Sequence, residues 1–221
     1  MSGGSGAVNL NQCASVPNLL FEWHMEDLTV GSGVPYGCSD GDITATLVSS
    51  ASLTTTQSQD GDYSLYAPTS GDHAAFTISG EDLIKHSSGT IDVWVRPVTS
   101  NNYTSIVHAY YDPTNHVIMD IDESSLFRMK VVSDVLSQVT STQTITPDTW
   151  YHVIAKWDAV AHGGYYIEIC ADTTNGTTNC ASSGTAFGAW AGTLTTLRIG
   201  EAAGVSSELY VDNLKIYGTW Q

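Results

Sequence analysis

The chain has 221 residues, 42% of them hydrophobic, and carries 7 Lys+Arg against 23 Asp+Glu for a formal charge of -16. Nucleic acid and anionic lipid surfaces would be repelled by that balance, so neither is expected as a partner. No apolar run approaches the roughly 18 residues of a membrane span, so no membrane insertion is expected, and the length suits one sizeable β-core.

Residues 1–18 are rich in Gly, Ser and Asn and read as a flexible lead-in, followed by a single domain over 19–221. The first residues have neither a charged n-region nor an apolar h-region. The expectation is a leader replaced at this end or another exit route, such as that of a virion component. Leu19, Phe21, Trp23 and Met25 alternate with Leu20, Glu22, His24 and Glu26 and begin the first strand. The Gly-rich stretch 30–42 is a loop. The Ser/Thr-rich tract 49–58 leads straight into Gly61-Asp-Tyr-Ser-Leu-Tyr66, so it belongs inside the domain. Strands follow over 74–79, 91–96, 104–111, 117–122 and 126–132, with a short helical turn over 80–86. In Tyr151-His-Val-Ile-Ala-Lys-Trp157 the period-two alternation marks a strand with one buried face. Further strands are expected over 165–170, 194–199 and 209–217. Many short strands and almost no helical periodicity predict an all-β, antiparallel two-sheet β-sandwich.

Three segments carry a family resemblance: Trp150-Tyr-His-Val…Trp157-Asp158, Gly89-Thr-Ile-Asp-Val-Trp-Val-Arg-Pro97 and Leu209-Tyr-Val-Asp-Asn-Leu-Lys-Ile-Tyr217. Their order and spacing resemble the laminin-G-like, concanavalin A-like jelly-roll family. The resemblance implies a jelly roll that hosts lectins, adhesins, glycanases, lyases and spacers, so function has to be argued from a site. It also implies a structural calcium ion beside the last strand, held by Asp212 and Glu26, with Asp27 as second choice. Oxygen ligands of this kind suit calcium. The alternative is that Asp212, which the alternation sets on the face of Leu214 and Ile216, accepts hydrogen bonds from loop amides.

Four cysteines allow three pairings and lack zinc-like spacing, which favours an oxidising, extracellular, cell-surface or virion setting. The turn-rich segment 172–176 lets the chain reverse after Cys170, so Cys170 is expected to pair with Cys180 and Cys13 with Cys38. Met119-Asp-Ile-Asp-Glu-Ser124 resembles the acidic strand of glycoside hydrolases of this fold, in which carboxylates act as nucleophile, helper and acid/base. Asp120 and Asp122 fall on one strand face, but Ser124 stands at the third acidic position. The same residues also read as a hairpin turn over 122–125. His108 and His116 are separated by a turn and give no expected site. Tyr103, Tyr110, Tyr111 and Trp190, in or beside loops, are the candidate sugar-stacking residues. Asn102-Tyr-Thr104 and Asn175-Gly-Thr177 are glycosylation sequons, relevant to a eukaryotic source.

The reading is a non-catalytic extracellular recognition or adhesion module for a glycan or other cell-surface ligand. One alternative is a self-assembling structural subunit of a virion, fibre or surface filament. A polysaccharide hydrolase or lyase is a third, weakened by the absent third carboxylate and the few basic residues.

Overall fold

Alternating apolar residues give each strand one side to bury, and two sheets meet along those sides. The computed structural model describes residues 18–25, 36–37, 45–77, 84, 87–99, 103–133, 135–188, 194–201 and 208–221. No helix occurs among them. The strands are β1 (Leu19–Trp23), β2 (Tyr36–Gly37), β3 (Ala45–Val48), β4 (Ser52–Thr54), β5 (Ser64–Ala67), β6 (His73–Thr77), β7 (Ser88–Pro97) and β8 (Thr104–Asp112). They continue as β9 (Asn115–Ile121), β10 (Leu126–Ser133), β11 (Val135–Thr144), β12 (Tyr151–His162), β13 (Tyr165–Asp172), β14 (Ala181–Ser183), β15 (Thr196–Ile199) and β16 (Leu209–Tyr217).

The first sheet runs β14-β13-β12-β7-β16-β1-β2, with β5 also on β16 and β4 beyond it. The second runs β11-β10-β9-β8-β15-β6-β3, and all pairings are antiparallel. This is the expected two-sheet sandwich. At its centre β12 buries Tyr151, Val153, Ala155 and Trp157 in the predicted alternation. Trp157 lies opposite Gly89 of β7, and that glycine makes room for the indole: a Cβ there would fall 2.3 Å from the ring.

The last strand departs from simple alternation. Val211 pairs with Val95 and Asp212 with Trp94, but the next paired residue is Lys215, opposite Asp92. Two residues, Asn213 and Leu214, therefore oppose one, and Asn213 adopts φ 48°. The bulge resets the phase, so that Val211, Leu214 and Ile216 face the core while Asp212 stands with Trp94. This corrects the expectation that Asp212 shares the face of Leu214 and Ile216.

Other expectations meet the structure unevenly. The bridge Cys170–Cys180 is present. Cys13, Cys38, Glu26, Asp27, Trp190, the lead-in up to residue 17 and all of the helical turn over 80–86 except Ile84 lie outside the described residues. The hairpin over 122–125 forms: Asp122 Oδ1 accepts from the amides of Ser124 at 2.9 Å and Leu126 at 3.1 Å. Because β9 ends at Ile121, Asp122 is a turn cap and not a second strand-face carboxylate beside Asp120.

The packing of Trp157 on Gly89 gives a direct test. Gly89→Ala should destabilise the fold by about 3 kcal/mol, because a rigid ring cannot yield to the added methyl. Chemical denaturation checks this, and Trp157→Leu in the same background should recover part of the loss.

Candidate functional site

The outer face of the second sheet gathers a connected set of polar side chains that the fold holds in fixed places. Three cross-strand rungs build it. In the first, Arg198 of β15 faces His108 of β8, which faces Ile118 of β9, which faces Lys130 of β10. The second rung is Ser105, Asp120 and Arg128, and the third is Thr196, Tyr110, His116 and Val132. An extra residue at Ile106 lets Ser105 and His108, three apart, point outward together while Ile106 and Val107 are both buried.

Asp120 is the hub. Arg128 grips it through Nε to Oδ1 and Nη2 to Oδ2, both at 2.8 Å, and Lys130 Nζ donates to Oδ2 at 2.8 Å. Burial would lower the Arg128 guanidinium, but the Asp120 carboxylate outweighs it and raises it. Glu201 is the second anchor, 3.2 Å from His108 Nδ1 and 2.5 Å from Arg198 Nη1. The His108 hydrogen bond and the Arg198 charge hold the Glu201 carboxyl below its usual range against burial. His116, in edge contact with His108 at 5.7 Å between ring centroids, is pushed down by burial and then by His108. A pocket of about 420 Å³ opens over this network, lined by Tyr103, Ser105, His108, Ile118, Asp120, Lys130, Arg198 and Glu201.

Of the expected aromatics, Tyr103 borders the pocket and is 41% exposed. The Arg128 guanidinium sits 5.3 Å from its ring centre, and hydrogen bonding to Glu123 raises its hydroxyl. Tyr110 lies within β8, half-buried, edge-on to His108 at 5.9 Å. Tyr111 is corrected: it faces the core, only 5% exposed, and its hydroxyl donates to the Ile84 carbonyl. The turn between β8 and β9 brings His108 and His116 together because the strands pair as a hairpin. Arg128, Lys130, Arg198, Glu201 and Ser105 were not expected. The signal for two of them was present in Arg128-x-Lys130, which a strand sets on one face opposite Asp120 across the predicted hairpin.

Asp212 lies on the other sheet, fully buried, and its Oδ2 accepts from the amides of Gln59 at 2.8 Å and Asp60 at 3.1 Å. Those two amides supply hydrogens to one oxygen of the carboxylate. No group of three or more His, Cys, Asp or Glu able to hold a metal occurs among the described residues. Asp172 is bonded more heavily still. Its two oxygens accept from the amides of Thr174, Asn175, Gly176, Thr177 and Thr178, and from the hydroxyls of Thr174 and Thr178.

Two stability predictions follow from these carboxylates. Asp120→Ala should cost about 3 kcal/mol or more because Arg128 is left buried without its partner, whereas Asp120→Leu with Arg128→Met should recover much of that. Denaturation midpoints of the two variants decide it. Burial would raise the Asp172 carboxyl, but its amide and hydroxyl donors hold it well below the ordinary value. A depressed folded pKa adds stability above the unfolded value of about 3.9 that drains away as pH falls through and below it. Asp172→Asn should therefore flatten the loss of stability in acid melts while lowering stability at neutral pH.

The chain matches the family model described as the concanavalin A-like lectin/glucanases superfamily over residues 68–219. No curated protein matches it. Among solved structures, domain 4 of AbnA, a GH43 extracellular arabinanase from Geobacillus stearothermophilus, in complex with arabinotriose, superposes with a TM-score of 0.68 at 12% identity, covering 92% of this chain and 93% of that one. A botulinum neurotoxin type C structure, whose cell entry is described as dependent upon interaction with two ganglioside molecules, gives 0.68 at 9% identity over 92% of this chain and 48% of its own. The receptor-binding domain of the C/D mosaic serotype gives 0.64 at 9% identity, again with 92% and 48% coverage. The chain thus spans about half the length of the toxin domains it matches. At these identities the likeness shows the fold alone. The family match extends over more than half of the sequence and falls on the strands that form the sandwich, so the chain belongs to the concanavalin A-like lectin/glucanases superfamily.

Proposed function

We propose that the protein is a non-catalytic glycan-recognition module that binds through the outer face of the second sheet. The observation that carries this is the pocket of about 420 Å³, where Tyr103 offers a ring beside Ser105, His108, Asp120, Lys130, Arg198 and Glu201. Sugars are held by stacking their apolar faces on aromatic rings while fixed polar groups take the hydroxyls, and this lining supplies both. The network of ion pairs keeps those groups in position before a ligand arrives, which lowers the cost of binding. A solved neighbour in complex with arabinotriose and another whose cell entry depends upon interaction with two ganglioside molecules support the same class of ligand. Asp120, the carboxylate of the hydrolase-like motif, is engaged by Arg128 and Lys130, which suits a fixed polar contact better than a nucleophile. The bridge Cys170–Cys180 fits an extracellular setting.

On this reading the isolated monomeric protein binds members of a glycan array and releases no reducing or unsaturated ends from polysaccharides. Tyr103→Ala should weaken binding by about tenfold, the equivalent of roughly 1.4 kcal/mol, with an unchanged melting temperature. Concentration-dependent assembly without glycan binding would favour the structural-subunit reading, and product release abolished by Asp120→Asn would favour an enzyme. For calcium, we propose Asp212 with Glu26 as the holding pair. Chelator should then lower the melting temperature and added calcium restore it, while an unchanged value assigns Asp212 to a hydrogen-bonding role.

A further inference from the structure

The cations at this pocket are paired from within the chain. Asp120 serves both Arg128 and Lys130, and Glu201 serves Arg198 and His108. Behind them, Asp122 acts on Arg128 and Glu123 bonds Tyr103. Three of the seven Lys and Arg residues of a chain with charge -16 stand on this one face, yet each is already committed to a carboxylate.

The energetics of two ligand types differ at such a site. An anionic sugar would have to approach a strongly acidic protein and share cations already held by Asp120 and Glu201, setting its own carboxylate beside theirs, which is costly. A hydroxyl brings no such repulsion. It can accept from the spare hydrogens of Lys130 or Arg198 and donate to remaining lone pairs of Asp120 or Glu201 while every ion pair stays closed. We infer that Asp120 and Glu201 are specificity determinants that restrict the pocket to uncharged, hydroxyl-rich ligands and exclude carboxylated ones. The inference rests on the glycan reading above and narrows its ligand class.

The test is a glycan array printed with matched pairs: galactan with polygalacturonate, mannan with polymannuronate, and lactose with sialyllactose. The wild-type protein is expected on neutral members only, with an affinity that changes less than about twofold between low and high salt because no ion pair forms on binding. Glu201→Gln releases Arg198, and Asp120→Asn releases Arg128 and Lys130. Each should gain binding to acidic members by roughly tenfold or more, and that gain should fall with salt. If Asp120→Asn folds poorly, as judged by its melting curve, Glu201→Gln carries the test alone. Equal or tighter wild-type binding to acidic members overturns this inference and leaves the glycan reading standing. A folded Glu201→Gln variant that stays confined to neutral members also overturns it. An array on which nothing is bound overturns both.

Discussion

A strand turns alternate side chains to opposite faces, so one inserted residue inverts everything beyond it. The polar face of the second sheet depends on such an insertion. With Ile106 and Val107 both buried, Ser105 and His108 emerge side by side and meet Asp120 and Ile118 across the β8–β9 hairpin. Without that reset, either Ser105 or His108 would point into the core and the rung joining Arg198 to Lys130 would lose its middle member. The bulge at Asn213 plays a comparable part in the first sheet, returning Leu214 and Ile216 to the core after Asp212 has turned to the other side.

The sequence made the repetitive parts of this fold legible and hid its interruptions. The strand around Trp157 could be read from period-two alternation, and the 122–125 hairpin and the Cys170–Cys180 bridge from local turn chemistry. Strand β11 could not, because its inward positions include Ser137 and Ser141. Ser137 meets its burial requirement through the Thr185 carbonyl, a partner far along the chain. The same limit applies to the site. Asp120 and Tyr103 stood out as residue types, but the pairing of Glu201 with His108 spans 93 positions and depends on β15 lying beside β8. Tyr110 and Tyr111, adjacent in sequence, were indistinguishable until the strand sent one outward and the other to the Ile84 carbonyl.

The acidity of the chain and the pairing of its few cations belong together. On the first sheet Arg96, Lys156 and Lys215 each sit with a carboxylate, Asp148, Glu168 and Glu22 respectively. On the second, two carboxylates hold three cations. Partly exposed pairs of the first kind contribute little to stability. The Asp120 cluster is different because it is largely removed from water, so its geometry is held firmly and its disruption is expensive. Rigidity there comes from electrostatics.

The loop after β13 has a further meaning for how the domain meets its surroundings. Asp172 gathers the loop amides, the disulfide closes its base, and Gly176 lies so near Ile154 and His152 that a Cβ would come within 2.9 Å of Ile154. The amides of Gln59 and Asp60 lie over Asp212 on the same side. These segments roof part of the outer face of the first sheet, while the pocket indents the outer face of the second. The pocket and these roofed segments therefore lie on opposite outer faces of the sandwich, so a copy anchored through its roofed side would present that pocket outward.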